Sequence, residues 1–329
     1  MEIAKAVILA GTGGTTAPWS ATPGARHLFP VANRPVLFHG LEALRRDGVL
    51  EAAILADAEI STAIRNAVGD GGDWGLAVTH ANWDSTVGLG GALTAVHDFI
   101  GDEPVLVQRG DALLRERMHA HISQFARDRL DALELQGEPA GLGAHAGFAP
   151  GYLLSPRAVS ILQRPLACGI DPIAGVRARG GRVSVARVAC CLPFQGDVDT
   201  LLQGNRYALE ALVPAVAPES LEEATVHGTA KIHPTARIRN SLIRGPVIIG
   251  AGAVVTDAYI GPYTSIGANV IVEATEIEHS IVLPEAQLRF VGTRLESSLI
   301  GRGARVVRGF DVPAAIRVSL GDGAEVILR

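Results

Sequence analysis

Lysine is nearly absent from this sequence of 329 residues, because only Lys5 and Lys231 among its 29 basic residues are lysine and the rest are arginine. Chemistry that requires a lysine ammonium is therefore restricted to two positions. Cysteine is also scarce. Cys168, Cys190 and Cys191 are too few for a disulfide scaffold, and their spacing does not match a metal-ligand pattern. The adjacent pair lies in an apolar segment, which favours a core position over a reactive nucleophile.

Three further absences restrict the location and the partners of the protein. The sequence has no run of about 18 apolar residues, so we expect no membrane span. Its first residues, MEIAKAVILAG, lack the apolar stretch behind a basic segment that a signal peptide needs. A net charge of −5 gives no general nucleic-acid-binding pattern. We therefore expect a reduced, cytoplasmic protein without membrane or nucleic-acid partners.

The first part of the sequence alternates short apolar runs with amphipathic segments. The length alone suggests about two domains. We predict buried strands over 6–10, 52–56, 76–78 and 105–107, and helices over 36–46, 60–68 and 89–99. Strand–helix alternation of this kind is typical of a parallel sheet that helices cover on both faces. Residues 1–215 are therefore predicted to form an α/β domain.

After a linker at 213–220, the sequence repeats with a period of six. Each repeat begins with an aliphatic residue followed by glycine or another small residue, as at 249–254, 260–265 and 266–271. Such a hexapeptide pattern is typical of a parallel β-helix, in which each repeat forms one flat side of a triangular coil. An ordinary antiparallel β-domain would instead alternate with period two. We predict a β-helix over residues 216–329.

Three sets of motifs together resemble one protein family. They are KAVILAG with a glycine loop at 5–14, PVANRP at 30–35, and the repeats SLIRGPVIIG and IGPYTSIG at 241–250 and 260–267. The combination is similar to the sugar-1-phosphate nucleotidylyltransferases, and within them to the long-form glucose-1-phosphate thymidylyltransferases of actinobacterial antibiotic pathways. The resemblance implies an N-terminal Rossmann-like (GT-A-like) nucleotidyltransferase domain with a mixed, mostly parallel sheet. It also implies that the C-terminal β-helix of hexapeptide repeats is left-handed.

The resemblance further implies a reaction. The sugar 1-phosphate attacks the α-phosphorus of a nucleoside triphosphate, and pyrophosphate leaves. Main-chain N–H groups, basic side chains and Mg²⁺ supply positioning and charge neutralisation in such a site. The implied ligands are a nucleotide or a sugar nucleotide, in secondary-metabolite sugar biosynthesis. Because a β-helix presents flat faces and open ends, we also expect a homo-oligomer.

By this resemblance the phosphates of the nucleotide lie against the glycine loop. The nucleotide-binding candidates there are Leu9, Ala10, Gly11, Thr12, Gly14 and Thr15. Gly11 and Gly14 can let backbone N–H groups approach a phosphate. Thr16 stands where the family has an arginine, and a hydroxyl cannot replace a cationic, two-point donor. Arg26 stands where the family has a lysine, and it is our candidate catalytic cation.

The base and sugar regions differ more from the family. The base-reading segment aligns with VTHANWDSTVGLG at 78–90, where Gly88 is retained but the family's glutamine falls on Trp83. Tryptophan can stack on a base but has one donor and no acceptor. The family's Glu-Lys-Pro element, which presents a lysine to the sugar phosphate, has no counterpart, and the nearest string at 137–139 lacks the lysine. The segment around 112–147 is also too short for the usual strands of the sugar site.

The resemblance gives Asp111 the role of a Mg²⁺-binding carboxylate, because it follows Gly110 at the end of a predicted strand. Mg²⁺ in such sites takes one or two carboxylates together with phosphates and water. Capping of the next helix is the structural alternative for this aspartate. The family's second metal aspartate falls on Phe194, so Asp197 or Asp199 could supply it only across a small gap.

Two functional hypotheses remain from the sequence. In the first, the protein is a working nucleotidylyltransferase, or an enzyme with a repurposed activity, whose remodelled site uses Arg26, Asp111 and the glycine loop. In the second, it is a non-catalytic paralogue, or pseudoenzyme, that acts as a binding, regulatory or assembly protein beside an intact homologue or a pathway enzyme. Loss of one transition-state donor can reduce a rate about 10²–10³-fold, and several family groups are replaced here together. We therefore predict that ordinary thymidylyltransferase activity is lost.

Overall fold

The computed structural model of the protein describes residues 3–11, 25–139, 149–164, 171–191 and 197–308. An eight-stranded mixed sheet with helices on both faces forms the first part, and a coil of short parallel strands forms the second. This arrangement confirms the predicted fold class. None of the helices in these residue ranges has the length and apolar character that crossing a membrane requires.

The N-terminal elements follow one another in the order that strand–helix alternation predicts. The strands are β1 (Lys5–Ala10), β2 (Pro30–Val31), β3 (Arg34–Pro35), β4 (Glu51–Ala56), β5 (Ala77–Asn82), β6 (Val105–Arg109), β7 (Leu113–Leu114), β8 (Ala132–Pro139), β9 (Gly151–Leu154) and β10 (Val183–Cys191). The helices are α1 (Ala25–Leu28), α2 (Val36–Arg46), α3 (Ala58–Val68), α4 (Gly88–Ala95), α5 (His97–Ile100), α6 (His119–Arg127), α7 (Pro156–Leu162), α8 (Pro172–Ala178) and α9 (Val198–Glu210).

Strand β1 lies in the interior of the sheet, where it pairs in parallel with β4 on one side and β6 on the other. The full order is β5-β4-β1-β6-β9-β8-β10-β7. Strand β9 is antiparallel to both β6 and β8, whereas β8 and β10 are parallel to each other. The parallel run from β5 to β6 therefore places four carboxyl ends along one edge of the sheet.

Alternate residues of β1 enter two separate hydrophobic cores. Ile8 packs in one core with Leu37 of α2, and Val7 packs in the other with Leu93 of α4. Because helices cover both faces of the sheet, this strand is apolar at nearly every position. Cys190 of β10 is buried in the first core, which agrees with the core position predicted for it.

Two N-terminal elements differ from their predicted extents. The helix predicted over 89–99 divides into α4 and α5, because the backbone at Val96 (φ −123°, ψ 27°) leaves the helical region. The strand predicted over 76–78 extends to Asn82, since its backbone pairs with β4 along its whole length. Its later residues are polar and partly exposed at the sheet edge, so the apolar pattern did not reveal them.

Three sheets of six, five and five parallel strands form the C-terminal left-handed β-helix. The first sheet contains β11 (Leu221–Glu222), β14 (Arg237–Arg239), β17 (Val254–Thr256), β20 (Ile271–Glu273), β23 (Gln287–Arg289) and β26 (Arg305–Val307). The second contains β12 (Thr225–His227), β15 (Leu242–Arg244), β18 (Tyr259–Ile260), β21 (Glu276–Glu278) and β24 (Leu295–Glu296). The third contains β13 (Ala230–Ile232), β16 (Val247–Ile249), β19 (Thr264–Ile266), β22 (Ile281–Val282) and β25 (Leu299–Ile300).

The aliphatic positions of the repeat point into the centre of the coil. Ile238, Val255 and Val272 are register partners on successive coils, and all three are buried. At one corner the backbones of Asn240 and Asp257 have positive φ angles of 45° and 52°. The Asn240 amide donates a 2.6 Å hydrogen bond to the Asp257 carboxylate on the next coil. Small polar residues tolerate this left-handed conformation, which lets the chain turn from one side to the next.

Helix α9 connects the sheet to the β-helix through Asn205, whose side chain is fully buried. Its Oδ1 accepts hydrogen bonds from the Ala32 amide at 2.9 Å and the Ser265 hydroxyl at 2.7 Å. Its Nδ2 donates to the Tyr263 carbonyl at 3.1 Å. Ala32 belongs to the PVANRP motif, which forms the β2–β3 hairpin. This motif therefore has a structural role at the junction of the two parts.

Candidate functional site

The carboxyl ends of the parallel strands bring most of the described candidate residues to one edge of the sheet. Gly11 follows β1, Asp57 follows β4, Trp83 follows β5, and Asp111 lies two residues beyond β6. In open α/β sheets, ligands bind outside the carboxyl ends of the strands. The fold therefore places these residues where a ligand site is expected.

Asp111 is held in a two-point ion pair by Arg109, the last residue of β6. Arg109 donates from Nε to Oδ1 at 2.9 Å and from Nη2 to Oδ2 at 2.8 Å. The Asp111 side chain is 6% exposed and the Arg109 side chain 37%. Burial by itself raises the pKa of the Asp111 carboxyl, but the hydrogen bonds and charge of Arg109 outweigh burial and hold that pKa well below its usual range. Asp111 is thus a buried anion already paired with a protein cation.

Arg26 supplies a second cation beside the same carboxylate. Its Nε lies 3.5 Å from Oδ2 of Asp111, and its Nη2 donates to the carbonyl oxygen of Gly11. Burial lowers the pKa of the Arg26 guanidinium, and the charge of Asp111 opposes that effect. Because an arginine pKa starts far above 7, the group keeps its charge. Arg26 therefore links the end of β1 to the end of β6.

His27 is a residue of the site that sequence reasoning missed. Its side chain is buried, and Nε2 lies 3.1 Å from the carbonyl oxygen of Gly11, to which it donates. Burial lowers the pKa of the His27 imidazole, so the ring is neutral at pH 7. Sequence reasoning passed over it because a single histidine beside Arg26 belongs to no recognisable motif.

Trp83 packs directly against the backbone of Gly11. A Cβ on Gly11 would lie 3.3 Å from Cζ3 of Trp83 and 2.7 Å from Cβ of Ser85. The Ser85 amide donates to Asp57 at 2.7 Å, which fixes this turn against the end of β4. The indole Nε1 of Trp83 is buried and has no hydrogen-bond partner among the described residues. The ring thus occupies the space beside β1 where the resemblance expects a base-reading glutamine.

The remaining nucleotide-binding candidates have backbone roles or lie outside the described residues. Leu9 and Ala10 are the last residues of β1 and pair with Leu55 and Ala56 of β4. Gly88 begins α4 with φ +67°, a conformation that favours glycine. Thr12, Gly14, Thr15 and Thr16 lie outside the residues that the structure describes.

The donor set does not fit the Mg²⁺ that the resemblance implies. Both oxygens of Asp111 accept hydrogen bonds from Arg109, and Arg26 lies beside them. Asp197 instead caps α9, where its Oδ1 accepts a 2.7 Å hydrogen bond from the Thr200 amide, and Asp199 is exposed in the first turn of that helix. In the described ranges no three metal-ligating side chains come together. A divalent cation at Asp111 would face two guanidinium groups, whose charge repels it.

Beyond β6, where the resemblance expects the sugar, β8 and the N-terminus of α8 carry the acidic residues Glu134 and Asp171. Glu134 of β8 lies opposite Tyr152 of β9. Burial raises the pKa of both side chains, and the negative charge of Asp171 raises the Glu134 pKa further. Asp171 caps α8 through a 2.8 Å hydrogen bond from the Ala174 amide. The described strands between Asp111 and β9 are β7 and β8, and neither carries a lysine.

Comparisons with known proteins agree with this fold. A family model for nucleotidyl transferases matches residues 5–136. The glucose-1-phosphate thymidylyltransferase of Streptomyces griseus is 31% identical over 97% of this chain and 98% of its own length. That of Streptomyces antibioticus is 30% identical over 99% of each. A low-salt glycan biosynthesis nucleotidyltransferase of Haloferax volcanii is 27% identical over 98% of this chain and 100% of its own length.

A solved structure supports the fold alone. It is a Bacillus anthracis protein assigned as a glucose-1-phosphate thymidylyltransferase, in complex with sucrose. It covers 65% of this chain and 97% of its own at a TM-score of 0.54 and 19% identity. The mixed sheet and the matched N-terminal segment define a protein of the nucleotidyltransferase class. Since the Streptomyces relatives extend over nearly the whole chain, the protein belongs to the sugar-1-phosphate nucleotidylyltransferase family.

Proposed function

We propose that this protein binds a nucleotide or sugar nucleotide at the carboxyl edge of its sheet and has lost ordinary glucose-1-phosphate thymidylyltransferase turnover. The ion pair between Arg109 and Asp111 carries the proposal. According to the family resemblance the Asp111 carboxylate would bind Mg²⁺, and here the Arg109 guanidinium neutralises it. In this proposal the protein acts as a binding, regulatory or assembly partner beside an intact homologue or a pathway enzyme.

Three features of the site support the loss of turnover. The Asp111 carboxylate is paired, Asp197 is used to cap α9, and the segment between Asp111 and β9 lacks the lysine that presents the sugar phosphate. Each such group stabilises charge that develops during phosphoryl transfer. Loss of a single transition-state donor can cost about 10²–10³-fold in rate. The combined changes therefore favour binding without efficient transfer.

The presence of two arginines supports phosphate binding at the same edge. The side chains of Arg26 and Arg109 are 15% and 37% exposed, so the latter can reach a ligand while still holding Asp111. Guanidinium groups make strong, two-point hydrogen bonds to phosphate. Trp83 offers a ring in place of the glutamine expected for base reading. The proposed site therefore recognises phosphates strongly and bases weakly.

Calorimetric titration of the full chain tests this proposal. With dTTP, UTP and dTDP-glucose we expect dissociation constants of about 1–100 μM, with dTTP and UTP within about threefold of each other because Trp83 accepts no hydrogen bond. Arg26→Leu should weaken binding by about tenfold or more, since it removes a charge-assisted phosphate contact. Arg127→Leu is the matched control, because Arg127 is 74% exposed on α6 and pairs only locally with Asp128.

Two results would overturn the proposal. Absence of binding for all three ligands would contradict a nucleotide-binding site, and protein partners would then be the ligands to test. Pyrophosphate release from dTTP and glucose 1-phosphate at the rate of the Streptomyces griseus relative would instead show an ordinary transferase.

A further inference from the structure

We infer that the Arg109 guanidinium takes the place of the divalent cation, so that this site binds the phosphates of its ligand without Mg²⁺. The inference rests on the proposed function, because it specifies how the same site recognises its ligand.

The geometry of Arg109 suits it to bridge a carboxylate and a phosphate. The Arg109 guanidinium donates hydrogen bonds from Nε and Nη2 to Asp111, whereas its Nη1 has no hydrogen-bond partner among the residues that the structure describes. A guanidinium carries five N–H donors in a fixed plane. One edge of the plane can therefore hold Asp111 while the other donates to a phosphate oxygen. A bound cation would make the same link from carboxylate to phosphate.

The two guanidinium groups on Asp111 disfavour a divalent cation at this carboxylate. Arg109 and Arg26 lie on this one carboxylate, at 2.8 Å and 3.5 Å from its Oδ2. Asp57, the other carboxylate at this edge, accepts the Ser85 amide at the end of β4 and lies beyond β1 from Asp111. His27 is neutral and donates to Gly11. The charge of Asp57 also reaches Arg26, so the two guanidinium groups and the two carboxylates at this edge balance. Arg109, with a side chain that is 37% exposed, is the cation that can face a ligand phosphate.

The test measures binding of two probes, dTDP and inorganic pyrophosphate, in EDTA and in MgCl₂. For the wild-type chain we expect affinities that differ by less than about threefold between the two conditions. Arg109→Leu should weaken binding in EDTA by about tenfold or more, because a charge-assisted contact is lost. Part of that loss should be recovered in MgCl₂, since the freed Asp111 carboxylate can then take a cation.

Two further variants serve as controls for this test. Arg109→Lys retains the charge but not the two-point geometry, so its binding in EDTA should fall between wild type and Arg109→Leu. It serves as the informative variant if Arg109→Leu fails to fold, as judged by circular dichroism. Arg127→Leu should bind both probes like the wild type.

The outcomes separate this inference from the proposed function. Wild-type binding only in the presence of Mg²⁺ would overturn the inference and leave the proposed function standing. Pyrophosphate binding in EDTA without any dTDP binding would support the inference and contradict the proposed function. Failure of both probes in both conditions would overturn both. Unchanged binding by Arg109→Leu in EDTA would overturn the inference alone.

Discussion

Arg109 and Asp111 are joined by two hydrogen bonds of 2.9 and 2.8 Å at the carboxyl end of a central parallel strand. Side chains two positions apart along a strand point to the same face of the sheet. Here the side chains of Arg109 and Asp111 meet just beyond the end of β6. The family resemblance gives the Asp111 carboxylate a metal-binding role, whereas in this structure the carboxylate forms one side of a protein ion pair.

Asp111→Asn should destabilise the fold by about 3 kcal/mol, because removing one partner of a buried ion pair leaves its counter-charge uncompensated. In this case Arg109 and Arg26 would face each other across a neutral amide. Urea denaturation followed by circular dichroism measures the loss. Asp199→Asn, on the exposed first turn of α9, should change the free energy of unfolding by less than about 0.5 kcal/mol. Equal effects of the two substitutions would contradict the importance of the pair.

The same carboxylate should make stability depend on pH in the acid range. The pKa of Asp111 is depressed in the folded state, so the unfolded chain binds a proton first as the pH falls. Its stabilising contribution is therefore complete above the unfolded pKa of about 3.9 and is lost as the pH drops below it. The difference in unfolding free energy between wild type and Asp111→Asn should be constant above about pH 5 and shrink below about pH 4. A difference that grows on acidification would be inconsistent with this ion pair.

Gly11→Ala should be destabilising by about 1–3 kcal/mol, as expected for overpacking. The new Cβ would lie 2.7 Å from Cβ of Ser85 and 3.3 Å from the Trp83 ring. Thermal unfolding measures the cost, and Ser85→Gly in the same chain should recover part of it by removing the nearest atom. At Gly301 a Cβ meets nothing within 4 Å, so Gly301→Ala should be nearly neutral. A neutral Gly11→Ala would mean that Ser85 and Trp83 do not pack against Gly11 as described.

Asn205→Ala should weaken the junction between the sheet and the β-helix. The substitution leaves the Ala32 amide, the Ser265 hydroxyl and the Tyr263 carbonyl without their buried partner. The expected cost is about 2–4 kcal/mol, because unsatisfied buried polar groups carry a full desolvation penalty. Differential scanning calorimetry should show two transitions in place of one. Asn66→Ala, on the exposed face of α3, should leave a single transition near the wild-type temperature.

The fold was largely predictable because its signals are local. The apolar run at β1 indicates a strand buried on both faces, and the six-residue period indicates the sides of a coil. The limits of α2, Val36–Arg46, agree with the helix predicted over 36–46. Edge strand β5 was only partly predicted, since its last residues are polar and their pairing with β4 is not a local property.

The site was less predictable because its chemistry depends on side chains that meet through the tertiary fold. The importance of position 111 followed from the motif, but its pairing with Arg109 did not. An arginine two residues before a candidate metal-binding aspartate was a usable signal, since the two side chains can form an ion pair at the end of a strand. His27 and Asp57 gave no such signal, because their partners Gly11 and Ser85 come from distant parts of the chain.

Nucleotide binding without ordinary transfer is tested most directly by one incubation. The full chain is mixed with dTTP labelled on the α-phosphate, glucose 1-phosphate and Mg²⁺, and bound and converted label are then separated. We expect dTTP to be retained by the protein, with dTDP-glucose formed at least about 10²-fold more slowly than by the Streptomyces griseus relative under the same conditions. Formation of dTDP-glucose at the rate of that relative would contradict the proposed loss of turnover.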